Sequence, residues 1–111
     1  MKRIDAIIRT QNLESVKDHL VAIGVEGLPA AAVQGFGRQK GREVYRGAEH
    51  VVEFLPELLL TIFATGEQAP QIVKAILDSA RTGKIGDGKI FVSPIEEVVR
   101  IRSGEWYHAV A

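Results

Sequence analysis

The segment "ELLLTIFAT", residues 57–65, constrains the fold more than any other part of the chain. Only Glu57 and two threonines interrupt its apolar run, so a strand here carries apolar side chains on both faces. Such a strand must be covered on both sides. A chain of 111 residues forms one domain with one modest core, so few elements are available to cover it.

Periodic patterns predict the elements of the first half. Apolar residues alternate in "RIDAIIR", which predicts a strand over residues 3–9. Helical spacing follows over residues 13–23, with Asn12 as the N-cap and Gly24 as the stop. The segment "AAAVQGF" predicts a second strand before a strongly polar stretch.

The second half repeats this arrangement. Pro70 opens a second amphipathic helix that ends near Gly83, "KIFVSP" predicts a strand, and "IEEVVRIR" predicts a last short strand. The order β-α-β-β-α-β plus an extra C-terminal strand is typical of an α+β, ferredoxin-like domain. Two helices cover only one face of its four-stranded sheet, so the apolar second face predicts a homo-oligomer.

Composition excludes several classes of protein. Fourteen basic and fourteen acidic residues give a net charge of zero, which disfavours nucleic acid as a partner. An RNA-binding ferredoxin-like domain is also disfavoured, because "DGKIFVSP" offers one aromatic residue, Phe91, beside an acid. Without cysteine there is neither a disulfide nor a thiolate metal site. The start "MKRIDAIIRTQ" is too polar for a signal peptide or a membrane span, so we expect a cytoplasmic protein without direct membrane insertion.

The segment "GKIGDGK", residues 83–89, matches most of a phosphate-binding P-loop. The required Ser or Thr is replaced by Ile90, and a strand follows instead of a helix, so a P-loop is excluded. Glycine amides and Lys89 still suit an anion. Arg100 and Arg102 alternate on the predicted last strand and therefore share a face. Two such guanidiniums indicate either a shared anion or a solvated hairpin.

A second glycine cluster, "GFGRQKG", lacks the Rossmann spacing because its glycines are Gly35, Gly37 and Gly41. The three histidines form no metal motif. No arrangement of nucleophile and base stands out in the sequence, so we predict that the protein is not an enzyme.

Residues 82–105, "TGKIGDGKIFVSPIEEVVRIRSGE", together with "GFGRQKG", "YRGAE" and "FLP", resemble the PII nitrogen-regulatory signalling proteins over nearly the whole chain. The resemblance implies a single domain over residues 1–111, a homotrimer of ferredoxin-like subunits, and a long T-loop at about residues 37–54. It implies a regulator in nitrogen metabolism that binds ATP or ADP in clefts between subunits. The T-loop of such a regulator controls a membrane transporter or a metabolic enzyme.

Site residues follow from the matching positions. The resemblance implies nucleotide-binding roles for Gly35, Gly37, Arg38, Gln39, Gly86, Asp87, Gly88, Lys89, Arg100 and Arg102. Gln39 would also meet Mg²⁺ beside bound ATP. The partner-binding residues of the T-loop would be Arg42, Tyr45, Arg46 and His50.

The chain departs from the family pattern at two informative positions. His50 replaces the modifiable tyrosine, so no uridylylation is expected there. Glu57 replaces a lysine that pairs with 2-oxoglutarate, which disfavours that effector, since one charge pair contributes about 4 kcal/mol at intermediate dielectric. An alternative is therefore a divergent paralogue that senses adenylates with another small anion and regulates a process outside nitrogen metabolism. A small ATPase acting through Gln39 and Mg²⁺ is disfavoured by the lack of a base.

Overall fold

Two helices pack on one face of a four-stranded antiparallel sheet in the computed structural model. The backbone is described over residues 1–39 and 51–108, and the side chains over residues 1–36 and 54–106. The elements are β1 (Lys2–Arg9), a 3₁₀ turn (Thr10–Asn12), α1 (Leu13–Ala22), β2 (Ala30–Gln39), β3 (Val51–Ala64), α2 (Ala69–Ala80), β4 (Gly88–Pro94), β5 (Glu97–Val99) and β6 (Trp106–His108). The strand order β2-β3-β1-β4 confirms the predicted α+β, ferredoxin-like arrangement. No helix in the described ranges is long and apolar enough to span a membrane.

The core lies between the sheet and the helices. Ile4, Ala6 and Ile8 of β1 alternate into it as predicted, and Ile4 and Ala6 are opposite Ile62 and Leu60 of β3. The helices contribute residues at helical spacing, and all buried side chains among the described residues are apolar. The core is therefore held by apolar burial alone.

Both helices begin where the sequence predicts, and α2 ends earlier than predicted. Asn12 stands before α1 as predicted, although its side chain makes no capping hydrogen bond. Pro70 lies in the first turn of α2, also as predicted. That helix stops at Ala80 rather than near Gly83, because Arg81 is extended and the N–H groups of Thr82 and Gly83 bond to the Asp87 carboxylate instead of to helical carbonyls.

The opposite face of the sheet is apolar and open in the single chain. Phe63 of β3 and Phe91 of β4 are 55% and 53% exposed on it. Asp5, on the same face, accepts hydrogen bonds from Thr61 Oγ1 at 2.8 Å and Arg3 Nε at 2.9 Å. No element of the described residues covers this face, so the need for a covering partner, predicted from β3, stands.

The prediction of a last strand over "IEEVVRIR" is wrong in one respect that affects the site. The chain forms a hairpin of two short strands, β5 and β6, in a separate sheet, and β5 ends at Val99. Arg100 and Arg102 therefore lie in the turn of the hairpin and not on one face of a strand. Gly104, with a φ of 71°, donates to the Arg100 carbonyl at 2.7 Å and closes this turn.

Candidate functional site

The segment between α2 and β4, residues 81–87, is called the glycine loop below. It contains "GKIGD" and runs directly into Gly88, the first residue of β4. Its conformation depends on one side chain. The Asp87 carboxylate accepts hydrogen bonds from Thr82 N–H at 2.7 Å, from Thr82 Oγ1 at 2.5 Å and from Gly83 N–H at 2.9 Å. Asp87, expected to line a nucleotide site, thus uses its oxygens to close the loop on itself.

These donors favour the charged form of Asp87. They hold the pKa of Asp87 below its usual range. The hydrogen bond from the Thr82 hydroxyl lowers this pKa most, followed by the bond from the Thr82 amide; the Gly83 amide and the nearby Arg9 charge lower it further. At neutral pH the carboxylate is therefore ionised and fully available as an acceptor.

We expect the loop to loosen only in strong acid. The folded-state pKa lies below the unfolded value of about 3.9, so the contribution of Asp87 is present above that value and is lost as pH falls through the folded pKa. NMR titration should show the amide signals of Thr82 and Gly83 moving with a midpoint below about 3.9. Asp87→Asn should abolish the transition. A midpoint at or above the unfolded value would contradict this account of the loop.

Arg9, the last residue of β1, fixes the outside of the glycine loop. Its Nε donates to the Gly86 carbonyl at 2.9 Å and its Nη2 donates to the Ile85 carbonyl at 2.8 Å. Nη2 also lies 3.5 Å from Asp87 Oδ1. Sequence reasoning missed Arg9 because its partners are 76 and 77 residues away. The pairing of Ile8 with Gly88, which brings Arg9 beside the loop, appears only in the sheet register.

The two predicted glycine segments meet at one cleft of about 400 Å³. It is lined by Arg9, Gln11, Gly35, Phe36, Leu55, Pro56, Glu57, Ile85 and Gly86. The Glu57 carboxylate lies so close to Gly35 that a Cβ at this position would overlap Oε1. Glycine is therefore suited to position 35, and the cleft carries an acid next to its exposed backbone.

Lys89 and Gly88 contribute to a second hollow of about 430 Å³, which also contains Gly83 and Asp87. The hollow lies between α2 and the edge strand β4, and its lining is largely apolar. The glycine loop contributes residues to both hollows, Gly83 and Asp87 to this one and Ile85 and Gly86 to the other. Four of the predicted site residues, Gly86 to Lys89, are thus brought to one end of the sheet.

Other predicted residues are not brought there. Arg100 and Arg102, in the hairpin turn, line neither hollow within one chain. Gly37, Arg38 and Gln39 continue β2, where Gln39 pairs with Val51, but the side chains of Arg38 and Gln39 lie outside the described residues.

The predicted partner-binding residues Arg42, Tyr45, Arg46 and His50 also lie outside the described residues. At the base of the predicted T-loop, Phe36 and Phe54 are in contact, with ring centroids 5.3 Å apart, and both are largely exposed. Within the described ranges, no group of three or more acidic or histidine side chains could hold a metal ion.

Fold and cleft together define a class, that of ferredoxin-like domains with an open cleft at one end of the sheet. Within this class, the model of the family "Nitrogen regulatory protein P-II" matches residues 1–105, and the chain belongs to that family. The chain is 52% identical over 106 residues to "Nitrogen regulatory protein P-II" of Pasteurella multocida, covering 95% of both chains. It is 53% identical over 106 residues to the protein of the same name from Microchaete diplosiphon, again covering 95% of both.

A solved structure supports the same assignment. The chain resembles a PII protein of Arabidopsis thaliana, in a crystal structure described as bound to citrate, with a TM-score of 0.75 and 31% identity. The match covers 96% of this chain and 84% of that one. The fold and the family predicted from the sequence are thus confirmed.

Proposed function

We propose that the protein is a PII signalling regulator that binds ATP or ADP at the glycine loop and is not an enzyme. The observation that supports it most is the meeting of Gly35 and Gly86 at one cleft, since these glycines come from the two segments predicted to bind nucleotide. Both expose backbone next to the cleft, and Lys89 follows the loop. This chemistry suits a polyphosphate, which is recognised by backbone N–H groups and fixed cations.

The functional unit we propose is a homotrimer. One chain leaves the site without Arg100 and Arg102, which lie on an exposed hairpin turn that lines neither hollow. One chain also leaves an apolar sheet face open around Phe63 and Phe91. Association of copies would cover that face and would bring the hairpin arginines of one subunit to the glycine loop of another. Each nucleotide would then have cations on both sides.

Mg²⁺ fits this proposal as a companion of bound ATP. Gln39 is the residue we assign to it, at the end of β2. The ion would neutralise part of the polyphosphate charge, while the protein supplies backbone and side-chain donors. The T-loop, with Arg42, Tyr45, Arg46 and His50, would carry the nucleotide state to a membrane transporter or a metabolic enzyme.

Native mass spectrometry combined with calorimetry tests the proposal. We expect an assembly of three times the 12.1-kDa chain mass that takes up three ATP or ADP molecules. Arg100→Ala should reduce ATP affinity by about tenfold or more, because a charge-assisted contact to phosphate contributes about 1.5–3 kcal/mol. Lys17→Ala, on the exposed surface of α1, is the matched loss of charge and should have no effect. A protein that binds neither nucleotide would refute the proposal.

A second candidate function follows from Glu57. Its carboxylate lies in the cleft beside Gly35, where it would repel a dicarboxylate. The protein would then sense adenylates without 2-oxoglutarate, with another small anion as co-effector, and would regulate a process outside nitrogen metabolism.

A further inference from the structure

Glu57 is an acid without a partner in the cleft that Gly35 and Gly86 share. Its side chain is half-buried, and within the described part of the chain its carboxylate takes part in no hydrogen bond or ion pair. Removing a charged group from water is costly unless an opposite charge or hydrogen-bond donors replace the lost hydration. The cleft therefore favours a positive charge next to Glu57.

Arg9 is the residue placed to supply that charge, because it is directly opposite Glu57 in the pairing of β1 with β3. Opposite charges at such positions commonly stabilise a sheet. Arg9 instead donates to the carbonyls of Ile85 and Gly86, and its Nη2 lies 3.5 Å from Asp87 Oδ1. Since the glycine loop engages Arg9 and Asp87 balances its charge, Glu57 carries the uncompensated charge among the described residues of the cleft.

The Glu57 carboxylate lies against the backbone of one of the two glycine segments. A Cβ at Gly35 would overlap its Oε1, so the phosphates of a nucleotide in this cleft would meet a carboxylate at short range. Two anions at such a distance repel each other. A divalent cation between them turns the repulsion into an attraction. Mg²⁺ is commonly held in this way, by one or two carboxylates together with phosphate oxygens and water.

We propose that Glu57 is a ligand of a divalent cation that joins its carboxylate to the phosphates of a nucleotide in the cleft. This inference rests on the proposed nucleotide function. Because the described residues contain no group of three acidic or histidine side chains for a metal ion, we assign the other coordination positions to phosphate oxygens and water. Metal and nucleotide are then bound together: metal-free ATP meets a repelling carboxylate, whereas Mg-ATP meets a ligand.

Glu57→Gln tests the inference, because it keeps the size of the side chain and removes its charge. We expect it to weaken the binding of Mg-ATP by about tenfold, since a carboxylate ligand is lost, and to tighten the binding of metal-free ATP by about threefold, since a repulsion is lost. Calorimetric titration of ATP with Mg²⁺ and with EDTA measures both affinities. A change of the same sign in the two conditions, or an unchanged affinity for Mg-ATP, would overturn the inference.

A second measurement follows the metal itself. Electron paramagnetic resonance counts free Mn²⁺, and linkage requires that bound ATP gains as much affinity for the metal as the metal adds to the binding of ATP. We expect ATP on the wild-type protein to hold Mn²⁺ about thirtyfold more tightly than ATP on Glu57→Gln, the product of the two changes in ATP affinity. Equal Mn²⁺ affinities would refute the role of Glu57.

Glu67→Gln is the matched control, since it removes the same charge at an exposed position that lines neither hollow near the glycine loop. It should match the wild type in every measurement. A wild-type protein that binds ATP neither with nor without Mg²⁺ would refute the nucleotide function and the metal ligand together. A wild-type protein that binds ATP, with Glu57→Gln changing both affinities in the same direction, would refute the metal ligand alone.

Discussion

Gly88→Ala is expected to lower the free energy of unfolding by about 4 kcal/mol. A strained backbone contributes roughly 1–3 kcal/mol of this loss, and an overpacked contact contributes a similar amount. Gly88 has a φ of 114°, which a residue with a Cβ rarely adopts. A Cβ at this position would also overlap the backbone oxygen of Ile7, and no rotamer can relieve a clash with backbone. Since Gly88 pairs with Ile8, the β1–β4 ladder itself would have to shift.

Two other glycines separate the two causes. Gly83 has a φ of 84°, and no atom lies within 4 Å of the position that a Cβ would take, so Gly83→Ala should cost only the conformational term of about 1–2 kcal/mol. Gly27 has neither a positive φ nor a close neighbour, and Gly27→Ala should stay within about 0.5 kcal/mol of wild type.

Urea unfolding of the three variants ranks their stabilities, and all are measured at one protomer concentration because the proposed trimer would make stability depend on concentration. Equal stabilities of Gly88→Ala and Gly83→Ala would show that the contact with Ile7 is easily relieved.

The sequence predicts most of this fold because its elements are set by local periodicity. The alternation of Ile4, Ala6 and Ile8 and the helical stripes are properties of neighbouring residues, and the structure confirms them. The prediction that Arg100 and Arg102 lie on a strand was wrong, because Gly104 closes a turn immediately after them. The alternating pattern therefore predicted a strand that continues beyond Val99, where the backbone hydrogen bonds of β5 end.

The chemistry of the site was only half visible in the sequence. The glycines could be recognised because their spacing is local, and the Gly35 and Gly86 segments do meet at one cleft. Arg9 could not be recognised, because its importance comes from carbonyl groups that the sheet register brings to it. Asp87 was predicted to bind nucleotide, and that role stays a prediction; its hydrogen bonds to Thr82 and Gly83, which close the glycine loop, could not be read from the sequence.

Glu57→Lys is expected to create 2-oxoglutarate binding in the presence of Mg-ATP, with an affinity gain of about 100-fold, or ~2.7 kcal/mol. The wild-type side chain is half-buried in the cleft shared by Gly35 and Gly86. There its charge opposes a dicarboxylate, whereas a lysine would pair with it. Partial exposure screens the interaction, so the expected gain is smaller than the ~4 kcal/mol of a single charge pair at intermediate dielectric.

The design must separate the sign of the charge from its position. Glu57→Gln removes the repulsion without adding an attraction, so its affinity for 2-oxoglutarate should fall between those of wild type and Glu57→Lys. Glu67→Lys makes the same charge change at an exposed position that lines none of the described hollows near the glycine loop, and it should leave the affinity at the wild-type level. Calorimetric titration of 2-oxoglutarate into each Mg-ATP-saturated protein measures the affinities of the wild type and the three variants. Micromolar binding by the wild type would show that Glu57 does not exclude the effector, because the ligand would then lie beyond the reach of its charge.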